Sequence, residues 1–190
     1  MIRKHLVRAT QLLAVWALAA CAGDPASPSA PLRPIAPVAP NAADVSVLMA
    51  TTPLVRDVAL ARDVAVSRTI GRHGGSISIP SVGFTLVVPP GAVAHKTAFT
   101  VTALAGQAVA YEFEPHGTVF LRPLVATQRL SGTQLPAGTA LQAGYFPNRS
   151  LVDPNGGSAL VAEFIAGAVS SNQQAFSWPI QHFSGYIVAW

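Results

Sequence analysis

The sequence predicts an all-β chain: a single antiparallel β-sandwich, preceded by an N-terminal address segment and an extended Pro-rich stalk. Three observations predict it. From Val64 onward, apolar and polar residues alternate with a period of two over short windows, the pattern of a strand with one buried face. Glycine, proline and asparagine clusters punctuate those windows, as turns between strands do. No stretch past residue 64 sustains an apolar i, i+3, i+4 face for three turns, so the strands are expected to follow one another without helices.

The first element is residues 1–20. Met1 to Thr10 carries Arg3, Lys4, His5 and Arg8 and no acid, and Leu12 to Ala20 (LLAVWALAA) then runs nine residues without a polar side chain. A helix needs roughly 20 apolar residues to cross a bilayer. Nine are too few, and the basic-then-apolar order is that of a secretory signal peptide. The segment ends in Leu18-Ala19-Ala20-Cys21, which resembles the lipobox of bacterial lipoproteins. That resemblance implies a diacylglyceryl group on Cys21, cleavage before it, and acylation of the new N-terminus. Several acyl chains anchor stably where one does not. Ala22 follows the cysteine, where such proteins carry Asp when retained at the inner membrane. The resemblance therefore favours the outer membrane of a bacterial envelope, with the lipid bilayer as a partner through Cys21. The alternative is an ordinary signal peptide with an incidental cysteine. As Cys21 is the chain's one cysteine, a disulfide framework and a thiolate-rich metal site are excluded.

The second element is residues 21–63. Pro25, Pro28, Pro31, Pro34, Pro37 and Pro40 recur at a strict period of three, which matches the three residues per turn of polyproline II. Sixteen residues at ~3.1 Å each make a spacer of about 50 Å. A docking peptide for a proline-recognition groove is the alternative. Residues 41–60 are rich in Ala and Val, and read as a short helix or as the lead into a strand.

The third element, residues 64–190, carries the alternation. Val64, Val66 and Ile70 alternate with Ala65, Ser67 and Thr69; Ile77 and Ile79 with Ser76 and Ser78; Phe99, Val101 and Ala103 with Thr100 and Thr102. Gly74-Gly75, Pro89-Pro90-Gly91, Pro115-His116-Gly117, Pro147-Asn148 and Asn155-Gly156-Gly157 separate the runs. A body of this length buries a core without disulfides.

Three segments of this region resemble a known family. Gly74-Gly75-Ser76-Ile77-Ser78-Ile79 with Gly83-Phe84-Thr85-Leu86-Val87-Val88-Pro89-Pro90-Gly91-Ala92-Val93 is similar to the opening of the ZU-five domain, shared by ankyrins, netrin receptors and tight-junction proteins. Glu114-Pro115-His116-Gly117-Thr118-Val119-Phe120-Leu121-Arg122-Pro123-Leu124-Val125 is similar to its turn and Pro-bearing strand, and His182-Phe183-Ser184-Gly185-Tyr186 to its closing strand. The similarity spans about residues 70–190 in the family's order. It implies an immunoglobulin-like sandwich that binds partners or docks against neighbouring domains. Animal members carry a further domain to dock against, and no such domain follows here, so their partners do not carry over.

The resemblance also supplies the sharpest chemical candidate. Some ZU-five proteins, and separately a nuclear-pore protein, cleave themselves at a His-Phe-Ser triplet. In this chain Ser184 would be the nucleophile, His182 the general base and Phe183–Ser184 the scissile bond. The structural alternative makes Phe183 and Tyr186 core residues of the last strand, with His182 at its edge. Seven residues, Ser184 to Trp190, lie beyond the cut, which is little for a useful second piece.

A second candidate is Glu112, Glu114 and His116. Two carboxylates two apart on a strand share a face, for acid–base work or for holding a cation, or simply as a solvated face over buried Tyr111 and Phe113. The five histidines, His5, His73, His95, His116 and His182, show no metal-ligand spacing. No phosphate loop and no GxSxG elbow occurs. No metal and no cofactor is expected. Tyr145, Phe146, Trp178 and Trp190 are candidates for a carbohydrate-stacking face or for core.

A sequence pI near 9.8 invites a nucleic-acid partner. Removing residues 1–20 takes away Arg3, Lys4 and Arg8 and no acid, leaving nine basic against eight acidic side chains. The remaining cations are scattered from Arg33 to Arg149, and a nucleic-acid footprint needs them clustered. The expected function is therefore an envelope-anchored lipoprotein presenting a sandwich that binds a protein or a glycan. Self-cleavage is the alternative, and a glycan-binding or hydrolytic domain the third option.

Overall fold

Phe99, Val101 and Ala103 are fully buried while Thr100 and Thr102 between them are half-exposed, and Ile77 and Ile79 flank an exposed Ser78. Burial thus follows the period of two read from the sequence, because successive side chains of a strand point to opposite faces. The computed structural model describes residues 47–190; the expected signal peptide, Cys21 and the proline-periodic segment lie outside the described residues.

The described strands are, in chain order, β1 (Met49–Thr51), β2 (Val55–Leu60), β3 (Val64–Ile70), β4 (Gly75–Ile79), β5 (Phe84–Val88), β6 (Thr97–Ala103), β7 (Gly106–Ala108) and β8 (Ala110–Glu114). They continue with β9 (Val119–Arg129), β10 (Thr133–Gln134), β11 (Gln142–Phe146), β12 (Ala159–Val161), β13 (Glu163–Ile165), β14 (Ala168–Val169), β15 (Ala175–His182) and β16 (Gly185–Ala189). The helical residues among these are two short 3-10 turns, Pro80–Val82 and Arg149–Leu151. The chain is all-β, as its alternation requires.

Two antiparallel sheets carry most of the fold. One has six strands in the order β13-β11-β16-β8-β6-β3, the other five in the order β14-β15-β9-β5-β4. Between them lies the main core, where Phe84 and Leu86 of β5 and Trp178 and Ile180 of β15 meet Phe99, Tyr111, Phe113 and Tyr186 of the six-stranded sheet. Rings interlock across the layers, with Phe84 and Tyr111 centroids 4.1 Å apart. Burying aromatic surface of this extent is the dominant favourable term for such a body. A smaller cluster, Ala110, Phe146, Val161 and Ile187 with Leu104 and Val152, gives the six-stranded sheet a second covered region.

The turn residues act where expected. β5 stops at Val88, and Pro89-Pro90 withdraw donors from the ladder before the turn at Gly91. Strands begin before the expected boundary at residue 64: β1 and β2 lie within residues 49–60, joined by Thr52 to Leu54, with no helix there. Leu54 is wholly buried, its N–H donating to Val188 O and its carbonyl accepting from Val109 N. β2 pairs with β7 and β10, and β1 with β12. This stretch was unreadable because its pairings are short and distant in sequence.

Candidate functional site

β15 belongs to the five-stranded sheet and β16 to the six-stranded one, so His182, Phe183 and Ser184 form the corner where the chain crosses between layers. The ladder register of β15 with β9 slips between Ile180 and His182, freeing the chain to turn. Backbone bonds then fix the corner. Phe183 N–H donates to Thr118 O (2.9 Å), Gly117 N–H to Phe183 O (3.0 Å), and Phe113 N–H to Ser184 O (3.0 Å). The two candidate segments, Glu112–His116 and His182–Ser184, are therefore brought side by side. Their meeting was not legible from the sequence, where they lie about 70 residues apart.

The Phe183 ring is fully buried. Phe99, Phe113 and Phe120 surround it with centroid separations of 4.9, 5.4 and 4.8 Å. Ser184 is 6% exposed. Next to it, Gly185 has no room for a side chain, since a Cβ would lie 2.1 Å from the Phe146 ring. The His182 ring is half-buried and sits edge-on to Tyr145 at 5.2 Å. The His182 carbonyl accepts a 2.7 Å hydrogen bond from Tyr186 Oη. Burial, and then the charge of Glu163, push the Tyr186 hydroxyl pKa up. A cavity of about 100 Å³ lies beside His182, lined by Glu163, Ile165, Pro179, Gln181 and Tyr186.

For serine-mediated cleavage, the relevant feature is the Gly117 N–H on the Phe183 carbonyl oxygen, since that oxygen would carry the developing negative charge. Left-handed backbone strain is absent from the triplet: among the described non-glycine residues, the positive φ belongs to Gln173.

Glu112 and Glu114 lie on β8 opposite to the buried Tyr111 and Phe113, as the alternation predicts. Glu112 is engaged by Arg149, whose Nη2 reaches its carboxylate at 2.6 Å and Asp63 at 3.0 Å. Glu114 and His116 are exposed, as are His73 and His95. Among the described residues, no three His, Cys, Asp or Glu side chains group as metal ligands. Of the four aromatic candidates for a stacking face, Phe146 and Trp178 are buried, Trp178 stacked on Phe176 at 5.5 Å; Tyr145 and Trp190 are partly exposed. A stacking face through Trp178 is thereby corrected to core.

No model of a known protein family matches this chain, and no curated protein matches it.

Proposed function

We propose that the chain is a lipid-anchored bacterial envelope protein, presenting a ZU-five-like β-sandwich as a binding or structural module to a protein or glycan. The observation that carries this reading is the position of the sole cysteine. Cys21 falls directly after Leu18-Ala19-Ala20, behind a basic start and nine apolar residues. Acylation there attaches the chain to the bilayer, and the proline period supplies a stiff spacer. Ala22 directs it to the outer membrane. The ZU-five part rests on the three ordered segments between residues 70 and 190, and the all-β sandwich supports it.

Expression of the full chain in a Gram-negative host fed an alkyne-bearing palmitate analogue tests the anchor. The expected result is a labelled membrane protein whose mass lacks residues 1–20. Cys21→Ser is expected to be unlabelled and uncut. An unlabelled wild-type chain would overturn the reading.

Self-cleavage at Phe183–Ser184 is the second reading, favoured by the Gly117 N–H already placed on the scissile carbonyl oxygen. Ser184 Oγ would attack the Phe183 carbonyl carbon and lose its proton to His182. The Phe183–Ser184 C–N bond would break as His182 returns that proton to the leaving nitrogen, giving an ester with a free Ser184 amine, and water would then hydrolyse the ester to a Phe183 carboxylate and the Ser184 hydroxyl. The burial of Phe183 and Ser184 favours the first reading, because the ester needs water. Intact mass separates the two. The first reading expects Ser184 to Trp190 retained in both wild type and Ser184→Ala; loss of that heptapeptide from wild type alone would establish the second.

A further inference from the structure

Of the two main sheets, the acids of the strands, Glu112, Glu114 and Glu163, all belong to the six-stranded one. The five strands β4, β5, β9, β14 and β15 contain no aspartate or glutamate, and neither do the connections that enter and leave them. The register sets out their outward side chains. Val87 of β5 lies opposite Val125 of β9, and Val125 opposite Pro179 of β15, so three apolar side chains form one exposed row across the sheet. The next row is Ser78, Thr85, Thr127 and Ser177, whose hydroxyls meet in pairs at 3.1 and 2.9 Å.

At the start of β9 the face stays apolar and gains a basic rim. Val119 and Leu121 are 78% and 75% exposed, and contiguous uncovered apolar surface marks an interaction site. The Leu121 N–H donates to Ala92 O (3.1 Å), and the Gly91 N–H to Arg72 O (2.9 Å). These bonds draw the connections after β3 and β5 up to this corner. A Cβ on Gly91 would lie 3.8 Å from Arg122 Nε, and one on Gly71 3.2 Å from Lys96 Cγ. Arg72, Lys96 and Arg122 therefore gather at one end of the sheet. All three are exposed, and among the described residues the ion pairs are those of Arg149 with Asp63 and Glu112. Arg129 stands at the other end of β9. The fold thus brings together cations that lie far apart in the sequence.

We propose that this sheet face docks on an anionic phospholipid surface. Arg72, Lys96 and Arg122 take the headgroup phosphates, and Val119 and Leu121 enter the boundary between headgroups and acyl chains. Uncovered apolar side chains rimmed by cations suit that boundary, where apolar burial and attraction to anionic lipid act together. A second copy fits the face less well. Pairing two such faces about a two-fold axis sets cations against cations or against apolar surface, with no acid to meet them. A single-stranded nucleic acid needs exposed rings to stack on, and the phenylalanine and tryptophan rings of these strands, Phe84, Phe120, Phe176 and Trp178, are buried. The contact does not depend on acylation of Cys21.

The test uses two full-length chains carrying Cys21→Ser and one new cysteine, either Leu121→Cys on this face or Ala65→Cys at an exposed position of the six-stranded sheet. Each is labelled with an environment-sensitive fluorophore and titrated with vesicles of phosphatidylglycerol and phosphatidylcholine in equal parts. Residues 1–20 are common to both chains, so their own attraction to lipid does not distinguish the two positions. At low salt the emission at position 121 is expected to shift to the blue and saturate, and that at position 65 to stay. Added salt is expected to reverse the shift, and vesicles of phosphatidylcholine alone to leave both positions unshifted. Combining Arg72→Gln, Lys96→Gln and Arg122→Gln, with circular dichroism unchanged, is expected to raise the half-saturating lipid concentration about 100-fold. Equal shifts at the two positions, no shift at 121, or an undiminished response in the triple variant or with phosphatidylcholine alone would overturn the proposal. A shift at 121 that grows with protein concentration in the absence of vesicles would overturn it in favour of a contact between two copies.

Discussion

Phe183 illustrates how one residue type serves two incompatible demands. A scissile residue needs an approachable carbonyl and water nearby, whereas a core residue needs neither. Here the ring is enclosed by Phe99, Phe113 and Phe120, and removing it leaves a cavity that three rings cannot easily collapse. Truncation of a buried phenylalanine costs the transfer of its atoms plus that cavity. Phe183→Ala is expected to lower unfolding stability by about 3–5 kcal/mol in a urea melt. A loss below about 1 kcal/mol, within the range of ordinary surface substitutions, would show that the ring is not holding the two layers together. The sequence exposed part of this: Phe183 and Tyr186 flank Ser184-Gly185, just ahead of the apolar run Ile187 to Trp190. It concealed the ring neighbours, since Phe99 and Phe120 come from strands more than 60 positions upstream.

At the scale of elements, the strands were legible wherever a regular alternation ran for five residues or more, as in β3, β4 and β6. Short pairings were not. β1 and β12 join over three residues each, too few for a period to register, and only the fold brings Arg149 against Glu112 and Asp63. Those three side chains tie the 3-10 turn Arg149–Leu151 to β8 and to the connection between β2 and β3. Asp63 Oδ1 accepts the Ala105 N–H at 2.8 Å. That bond first, and then Arg149, hold the Asp63 carboxyl below its ordinary pKa. A depressed carboxylate adds stability above its unfolded pKa and loses it as pH falls through the folded value. Asp63→Asn is therefore expected to melt below wild type at pH 7, with the gap closing below about pH 4. Melting curves from pH 7 to pH 2.5 check this. A gap that widens on acidification would mean that the aspartate is not held as the charged form. As the pair is substantially exposed, added salt is expected to narrow the gap at pH 7 as well.

For the whole molecule, the folded unit is larger than its most regular part. The alternation begins at Val64, yet the interior includes Leu54 and Arg56 from the preceding stretch, and Leu54 exchanges backbone hydrogen bonds with Val188 of β16 and with Val109, the residue between β7 and β8. Removing residues 47–63 strips β1 and β2 together. It leaves the Val188 carbonyl and the Val109 N–H without their partners, and the Leu104, Gly106 and Ala108 carbonyls without the Arg56 guanidinium. Each buried polar group left unmade costs about 1–3 kcal/mol, and the exposed Leu54 contact adds the loss of a full apolar side chain. Together these reach the 5–15 kcal/mol by which a domain is normally stable. A full-length chain with residues 47–63 deleted is therefore expected to lose its cooperative unfolding transition, whereas replacing the same residues with a sequence that preserves Leu54 and Arg56 is expected to retain it. Urea unfolding followed by tryptophan fluorescence reads both, because Trp178 is buried at the centre of the sandwich. A deletion that still unfolds cooperatively would place the boundary of the autonomous sandwich at residue 64, where the alternation alone puts it.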